Sequence, residues 1–318
     1  MTYLLKGEWI TIPESYRRAR SGSNDSAFVL PHNAVRGRIG LSERSRSPAR
    51  GFEMDRTTVG SLLRSTQAYC SELCEKETLD CGIAYYCRRF AALPEANQFR
   101  EVLIQDCSRI QEAFEQAEAW FQQRGLFCHR WVPAEGRATT ELADFLTQQG
   151  FMARRSAAMA LARWVEQDTP EQVRILPARA MREAYRGTFI HAHAPGSPAT
   201  RELLAEASLE RLDDPQLDMV VALWDKQPVG RCGLYQVGDI ARVMSLSVLP
   251  AFAGRGVEQA LLAHVLALAK RLTLRHIFVQ VDETDAPRRI LLEEAGFVAD
   301  REIVEFERDR PGSLGVGP

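Results

Sequence analysis

The feature that most constrains this chain is an internal repeat. The segments FLTQQGFMARR, at residues 145–155, and LLEEAGFVADR, at residues 291–301, match at a spacing of 146 residues. In each segment a predicted helix ends at a Gly-Phe pair, and an extended run follows. A spacing this long indicates duplicated domains, because solenoid repeats recur every ~20 to 50 residues.

The order of the predicted elements favours the same duplication. In the first half, a helix over 110–124 is followed by an extended run over 126–132 and by a helix over 139–149. The corresponding elements of the second half are predicted at 257–271, 274–281 and 286–295. A helix followed by glycine and a strand is common in any protein, so it is the shared order that supports two related domains.

A polar, proline-containing stretch, RWVEQDTPEQ at residues 163–172, separates the two globular parts. The alternation of helical and β-rich segments predicts an α/β (α+β) fold class. The predicted organisation is an N-terminal arm (1–56), a first domain (57–162), a linker (163–172), a second domain (173–308) and a flexible tail (309–318).

The composition is that of an ordinary soluble protein. The chain has 318 residues, of which 45% are hydrophobic and 26% are charged, and its formal net charge is −2. These values exclude collagen-like, wholly disordered and coiled-coil proteins. No apolar run reaches ~18 residues, and the first 20 residues lack the apolar core of a secretory signal, so a cytoplasmic protein is expected.

Seven cysteines, an odd number without an export signal, indicate reduced thiols. Four of them cluster at Cys70, Cys74, Cys81 and Cys87, at spacings that fit no common zinc pattern. Thiols packed in a helix and a strand are the preferred interpretation over a metal site, and no metal is predicted.

The near-zero net charge hides a basic stretch near the N terminus. Residues 15–50 hold eight arginines against two acidic residues, among many serines, glycines and prolines. Few large apolar side chains are available there, which predicts a solvated, flexible arm. Nucleic acid or anionic lipid is an alternative partner, but the stretch lacks lysine and interleaved aromatic residues, so neither is expected.

The most informative chemistry lies in the second half, where a strand over 240–249 is followed by AFAGRG and a helix. Gly254 and Gly256 fall between the strand and the helix N terminus, where free backbone N–H groups favour a phosphate or pyrophosphate. Arg255 adds a charge of the right sign. The segment is neither a Walker A loop nor a Rossmann fingerprint, and a purely structural turn is the alternative.

The strings SVLPAFAGRGVEQALL, HIFVQV and DAPRRILLEEAGF together resemble the GNAT superfamily of acyl-CoA-dependent N-acyltransferases over about residues 173–308. The first half resembles a degenerate second unit, as in tandem-GNAT proteins. The resemblance implies two GNAT-like domains, each a mixed, mostly antiparallel twisted sheet flanked by helices. It also implies acetyl-CoA, or another acyl-CoA, as co-substrate.

By this resemblance, one set of residues would bind the cofactor, with backbone amides on the pyrophosphate and a splayed strand beside the pantetheine arm. These residues are Leu246, Ser247, Val248, Gly254, Arg255, Gly256, Val257, Glu258 and Gln259. Three positions depart from the family pattern. Ala253 replaces Arg or Gln, Glu258 places a carboxylate near the expected pyrophosphate, and Leu292 replaces the tyrosine that often protonates the CoA thiolate.

The strand before Pro250, with Met244, Ser245 and Ser247, also lacks the glutamate that some members of the family use as base, so the acid and the base must come from elsewhere. His191 and His193 lie between two predicted helices, a region that borders the acceptor site in GNAT folds, and histidine suits proton removal near neutral pH. Tyr235, on a predicted strand, is a secondary candidate for the proton donor. The alternatives are a polar loop with incidental imidazoles and a tyrosine that only packs.

These observations predict an acyl-CoA-dependent N-acyltransferase, an N-acetyltransferase, in which a primary amine attacks the thioester directly. The acceptor would be a small-molecule or peptide amine, and no membrane partner is expected. The alternative is a non-catalytic acyl-CoA-binding or interaction protein, favoured by the three departures from the family pattern.

Overall fold

Two short strands near the N terminus, β1 (Thr2–Leu5) and β2 (Glu8–Thr11), form an antiparallel hairpin in which Leu5 pairs with Glu8. The structure is a computed structural model that describes residues 2–5, 8–11, 57–167, 169–191 and 198–309. The basic stretch 15–50, His193 and the tail beyond residue 309 lie outside the described residues, so the predictions made for them stay predictions.

Eleven further strands of the described chain belong to one sheet. They are β3 (Glu75–Leu79), β4 (Gly82–Tyr86), β5 (Gln98–Val102), β6 (Arg130–Pro133), β7 (Met152–Leu161), β8 (Val173–Pro177), β9 (Leu217–Trp224), β10 (Gln227–Val237), β11 (Ile240–Val248), β12 (His276–Asp282) and β13 (Phe297–Glu307). Their order across the sheet is β3-β4-β5-β6-β13-β7-β12-β11-β10-β9-β8.

Helices flank this sheet on both faces. They are α1 (Thr57–Leu73), α2 (Ile110–Gln123), α3 (Thr140–Gln148), α4 (Arg182–Ile190), α5 (Pro198–Glu210), α6 (Val257–Arg271) and α7 (Ala286–Glu294). The α/β (α+β) class, with a mixed and mostly antiparallel sheet between helices, is confirmed. No helix in the described parts of the chain has the length and apolar character needed to span a bilayer.

Only two neighbouring strand pairs in the sheet are parallel, β5 with β6 and β11 with β12. A parallel pair needs a crossover connection, and helix α2 supplies it in the first half while α6 supplies it in the second. After each crossover come a strand, a second helix and a last strand, which is the order predicted from the sequence.

The last strands of the two halves are exchanged. Strand β7, from the first half, pairs antiparallel with β12, and Val281 lies opposite Ala157. Strand β13, from the second half, pairs with β6, and Phe306 lies opposite Trp131. The two strands also pair with each other along nearly their whole length. One continuous sheet therefore joins both halves, and the division into domains 57–162 and 173–308 stays a prediction.

The repeated Gly-Phe pair has a physical explanation. Gly150 and Gly296 follow helices α3 and α7 with φ of 83° and 98°, the left-handed conformation that ends many helices. The next residues, Phe151 and Phe297, are buried in the cores of their halves. The sequence match therefore corresponds to two helix C-termini, each followed by a phenylalanine that is buried in the core.

Separate apolar cores lie on the two faces of the second half. On one face, α6 and α7 pack on β10, β11 and β12 through side chains such as Leu261, Leu292 and Val279. On the other face, α4 and α5 cover Tyr235 and its neighbours, with Tyr69 of α1 packed beside them. The strands between these cores are therefore covered from both sides.

Candidate functional site

The turn between β11 and α6 provides the glycine cradle predicted from the sequence. Gly254 and Gly256 have φ of 72° and 78°, and Gly256 is the residue immediately before α6. The N–H groups of the first helical residues, Val257 to Gln259, have no acceptor within the helix. Together with the positive end of the helix dipole, they form a site suited to an anion.

The two glycines differ in their surroundings. A Cβ at Gly254 would meet nothing within 4 Å, whereas a Cβ at Gly256 would lie 2.8 Å from Cγ of Pro170. Pro170 belongs to the predicted linker, so this segment packs against the cradle. Arg255 is exposed, with its guanidinium carbon 5.2 Å from the ring centre of Phe252. The space beside Gly254 and the side chain of Arg255 are thus both open to solvent.

Strand β11 separates from β12 just before this turn. The two strands pair in parallel from Ile240, opposite His276, to Val243, opposite Val279. Ser245 then adopts φ of 54°, and the register of β11 against β10 shifts at the same place. Beyond this bulge β11 stays paired with β10 as far as Val248. Its other edge is open from about Met244 onward, which is the splay expected from the resemblance.

Arg288, from α7, reaches into this opening. Its Nη1 donates a hydrogen bond to the carbonyl oxygen of Leu246 at 2.7 Å, and its Nη2 lies 3.3 Å from Oε1 of Glu258. Asp285, which caps α7, also lies 3.4 Å from Nε of Arg288. The Glu258 carboxylate is therefore ion-paired with Arg288, and its charge near the cradle is partly neutralised.

The predicted cofactor-binding residues thus gather along one path. Leu246 points its side chain into the core below α6, so only its main chain faces the opening. Ser247 and Val248 continue the open edge of β11, and Gly254 to Gln259 form the cradle. Their role in cofactor binding stays a prediction.

The predicted catalytic residues are not all brought together. His191 caps the C-terminal end of α4 through its N–H, which donates to the Gly187 carbonyl, and its side chain is exposed. Tyr235 is buried, and its hydroxyl donates to Oε1 of Gln216 at 2.8 Å. Burial raises the pKa of Tyr235 above its ordinary value, with Asp214 adding to the effect. The surroundings of Tyr235 are therefore those of a packing residue with a satisfied hydroxyl.

Sequence reasoning missed Arg231, which lies on β10 opposite Ser247 of the open strand. Its Nη1 donates to the carbonyl oxygen of Thr188 at 2.7 Å, and its guanidinium carbon lies 3.6 Å from the ring centre of Phe189. Burial lowers the pKa of Arg231 to about 10. A single arginine within the apolar strand sequence VGRCGLY is the signal that could have identified it.

The first half keeps the bulge but lacks the opening. Glu101 of β5 has the same φ of 54° as Ser245, yet β5 resumes its pairing with β6 at Val102, opposite Pro133. Before α2, Asp106 accepts a hydrogen bond from the Ser108 N–H at 2.9 Å. A carboxylate therefore already occupies one backbone amide at the position that corresponds to the cradle of the second half.

The four clustered cysteines lie on different elements. Cys70 and Cys74 are buried on α1, and burial raises the pKa of the Cys74 thiol. Cys81 and Cys87 lie on either side of β4. Within the described ranges, no three His, Cys, Asp or Glu side chains are arranged to hold a metal ion.

Known proteins resemble this chain in sequence and fold. Residues 178–297 match the family model for the acetyltransferase (GNAT) family. Among solved structures, a functionally unknown conserved protein from Staphylococcus epidermidis has a TM-score of 0.60 at 14% identity, with 74% of this chain and 94% of that chain covered. A search of curated proteins finds no match.

Two further structures show the same likeness. A GCN5-related N-acetyltransferase from Kribbella flavida has a TM-score of 0.58 at 15% identity, with 80% of this chain and 97% of that chain covered. Another from Sphaerobacter thermophilus has a TM-score of 0.51 at 18% identity, with coverage of 79% and 91%. The shared fold therefore extends well beyond residues 178–297.

Proposed function

Residues 178–297 form a domain of the GNAT acetyltransferase family, and from this premise we propose that the protein is an acyl-CoA-dependent N-acyltransferase. Acetyl-CoA, or another acyl-CoA, is the proposed acyl donor, and a primary amine is the acceptor. The observation that carries the proposal is the opening of β11 from β12 at Ser245, directly before the glycine cradle. A structural turn alone would not require the strands to part.

In the proposed reaction the acceptor nitrogen attacks the thioester carbonyl carbon as a free amine. The new C–N bond forms, the C–S bond breaks, the nitrogen loses a proton, and CoA leaves as the protonated thiol. The amides of residues 254–259 would hold the pyrophosphate, and the open edge of β11 would align the pantetheine arm. His191 or His193 is the proposed base, and Tyr235, whose buried hydroxyl donates to Gln216, is given no role in the proposed reaction.

A second candidate function is a non-catalytic acyl-CoA-binding or interaction protein. Two observations favour it. Leu292, which stands in place of the family tyrosine, is completely buried and offers no proton. In addition, Arg288 already uses the Leu246 carbonyl on the open edge.

Two measurements on the full chain separate these functions. Titration calorimetry with acetyl-CoA tests binding, and CoA release over a panel of primary amines tests turnover. Binding with turnover supports the acyltransferase, and binding without turnover for any amine supports the second candidate. If neither acetyl-CoA nor CoA itself binds, both are rejected.

A further inference from the structure

A cavity of about 530 Å³ lies between the sheet and the helices α1 and α5. It opens on the face of the sheet opposite α6, beside the point where β11 and β12 part. Six arginines and four acidic residues line it, which is an unusual density of charge for a space flanked by the hydrophobic cores of both halves.

Arg211, immediately after α5, is buried with only 6% of its surface exposed. Its guanidinium carbon lies 3.1 Å from the ring centre of Tyr69, a cation–π contact. Its Nε and Nη2 have no hydrogen-bond partner among the described residues. A buried guanidinium is costly without a partner, so the charge of Arg211 is left uncompensated at these two nitrogens, and an anion beside the group would compensate it.

Arg242, on β11, is a second buried guanidinium in the same cavity. Its Nη1 donates to Oγ1 of Thr66 at 2.7 Å, and its Nη2 lies 3.4 Å from Oε1 of Gln280. Its Nε has no partner within the described chain. Both contacts are to neutral groups, and burial lowers the pKa of Arg242. An anion beside it would compensate the charge.

The acidic residues of the cavity are largely engaged elsewhere. Glu305 lies 3.8 Å from both Arg100 and Arg130, and Glu307 lies 3.1 Å from Arg130. Asp282 accepts two hydrogen bonds from Thr284. Glu95 is the remaining carboxylate of the lining, so the acids do not balance both Arg211 and Arg242.

The position of the cavity connects it to the proposed site of acyl transfer. Arg242 lies three residues before Ser245, a distance of about 10 Å along an extended strand. Gln280, on the cavity wall, directly follows Val279, the last residue of β12 that pairs with β11. A small molecule bound at Arg242 would therefore extend toward the opening.

We propose that this cavity binds the anionic end of the acceptor, which is a small amine that carries a carboxylate or a phosphate, and that Arg211 and Arg242 hold the anion. This proposal rests on the proposed acyltransferase function. The anion would anchor the acceptor while its amine nitrogen forms the new bond to the thioester carbon, with loss of the amine proton and departure of the CoA thiol.

The test compares acceptors that differ only in the anionic group. CoA release from acetyl-CoA is measured with amino acids against their primary amides, and with phosphoethanolamine against ethanolamine. We expect the anionic member of at least one pair to have a kcat/KM higher by about tenfold or more, the scale of a charge-assisted hydrogen bond. The pair that shows this preference distinguishes carboxylate from phosphate.

Variants locate the anion. In Arg211→Gln and Arg242→Gln, KM for the anionic acceptor should rise about tenfold or more while the neutral acceptor changes by less than about twofold. Arg242→Lys, which keeps the charge, should recover part of the loss. Arg182→Gln is the control, since Arg182 pairs with Asp213 on the exposed surface. The affinity for acetyl-CoA, measured separately, should be unchanged in all four variants.

The outcomes separate the two proposals. If neutral acceptors are used as well as anionic ones, the anion site is wrong and the acyltransferase stands. If no CoA is released, thermal shifts of the wild-type protein test the anion site alone, with amino acids compared with their primary amides and phosphoethanolamine compared with ethanolamine. A shift in the melting temperature that both Gln variants abolish supports the anion site. A shift no larger than that produced by sodium chloride at the same concentration overturns it.

Discussion

Arg288 donates a hydrogen bond to the carbonyl oxygen of Leu246, at the edge of β11 that β12 has left. An arginine from a neighbouring helix thus completes the hydrogen bonding that the strand pair gives up. Any ligand that uses this carbonyl must displace the guanidinium, and Glu258 helps to hold the guanidinium in place at 3.3 Å. The pair therefore controls access to the opening and the charge at the cradle.

We first expect Glu258→Gln to bind acetyl-CoA more tightly. The change removes a carboxylate from the first turn of α6, beside the expected pyrophosphate. Because the side chains of Glu258 and Arg288 are both partly exposed, the dissociation constant should fall about threefold. Calorimetry at low and high salt checks this, since the gain should shrink at high salt. Glu293→Gln, from an exposed pair with Arg289 on α7, is the control, and equal affinities in both variants would contradict the expectation.

The second prediction concerns the guanidinium itself. Adding Arg288→Ala to the Glu258→Gln variant frees the Leu246 carbonyl without leaving an unpaired acid. We expect the affinity for CoA to rise by about threefold or more, the value of one recovered hydrogen bond. Adenosine 3′,5′-bisphosphate, which lacks the pantetheine arm, should gain nothing. If the affinities for CoA and for adenosine 3′,5′-bisphosphate change equally, Arg288 acts on the phosphates and the prediction is wrong.

A matched glycine pair tests the cradle. Gly254 and Gly238 have φ of 72° and 63°, and a Cβ added at either position would meet no atom within 4 Å. Alanine at either place should cost about 1 kcal/mol or slightly more in backbone strain. Only Gly254→Ala should raise the dissociation constant of acetyl-CoA, by about tenfold, because the methyl group enters the surface on which the anion rests. Equal binding in the two variants would remove the cradle from the site.

The repeat supplies a second matched pair, for stability. Gly150→Ala places a methyl group in open space at φ of 83° and should lower the free energy of unfolding by about 1 kcal/mol. Gly296→Ala, at φ of 98°, would also overlap the carbonyl oxygen of Arg163. It should cost about 3 kcal/mol or more, since the obstacle is backbone. Urea unfolding of both variants measures the difference, and similar midpoints would show that Arg163 yields easily.

Stability should also depend on pH through His129. This side chain is buried, with Nε2 donating to the carbonyl oxygen of Ala91 at 3.2 Å, and burial lowers the pKa of His129. The His129 imidazole therefore binds a proton more readily in the unfolded chain than in the folded chain. The free energy of unfolding should decrease as the pH falls below about 6.5. Urea midpoints between pH 7.5 and 5.5 should show this slope. His129→Gln should reduce this slope, and His264, whose pKa is also lowered by burial and by Arg271, accounts for part of what remains. The exposed His276→Gln should leave the slope unchanged, and equal slopes in all three proteins would contradict the prediction.

Much of the second half could be predicted from local pattern. The helix 257–271 and the strand 240–249 agree with the structure to within one residue at each end, because their periodicity and flanking glycines or prolines are local signals. The extended run predicted over 126–132 agrees less well with the structure, because strand β6 begins only at Arg130. Leu126 and Cys128 are buried although they pair with no strand. The discrepancy arises because a run of apolar residues indicates that a segment is buried but does not indicate that its backbone pairs with a strand.

Long-range features were beyond local pattern. The exchange of β7 and β13 depends on pairings between residues 118 to 177 positions apart. The cavity gathers Arg211, Arg242 and Arg100 from three separate elements, and no spacing in the sequence relates them. Arg288 stood within the family motif, but its bond to Leu246 becomes visible only once α7 is placed against β11.

The exchange of last strands has a consequence for the connection between the halves. If the backbone were cut at residue 168, every strand pairing of the sheet would remain, with β7 still between β12 and β13. Each fragment on its own would expose the unpaired edge that its partner now covers. The two pieces would therefore behave as subunits of an obligate heterodimer, so the covalent linker fixes a one-to-one stoichiometry that the strands alone would otherwise have to select.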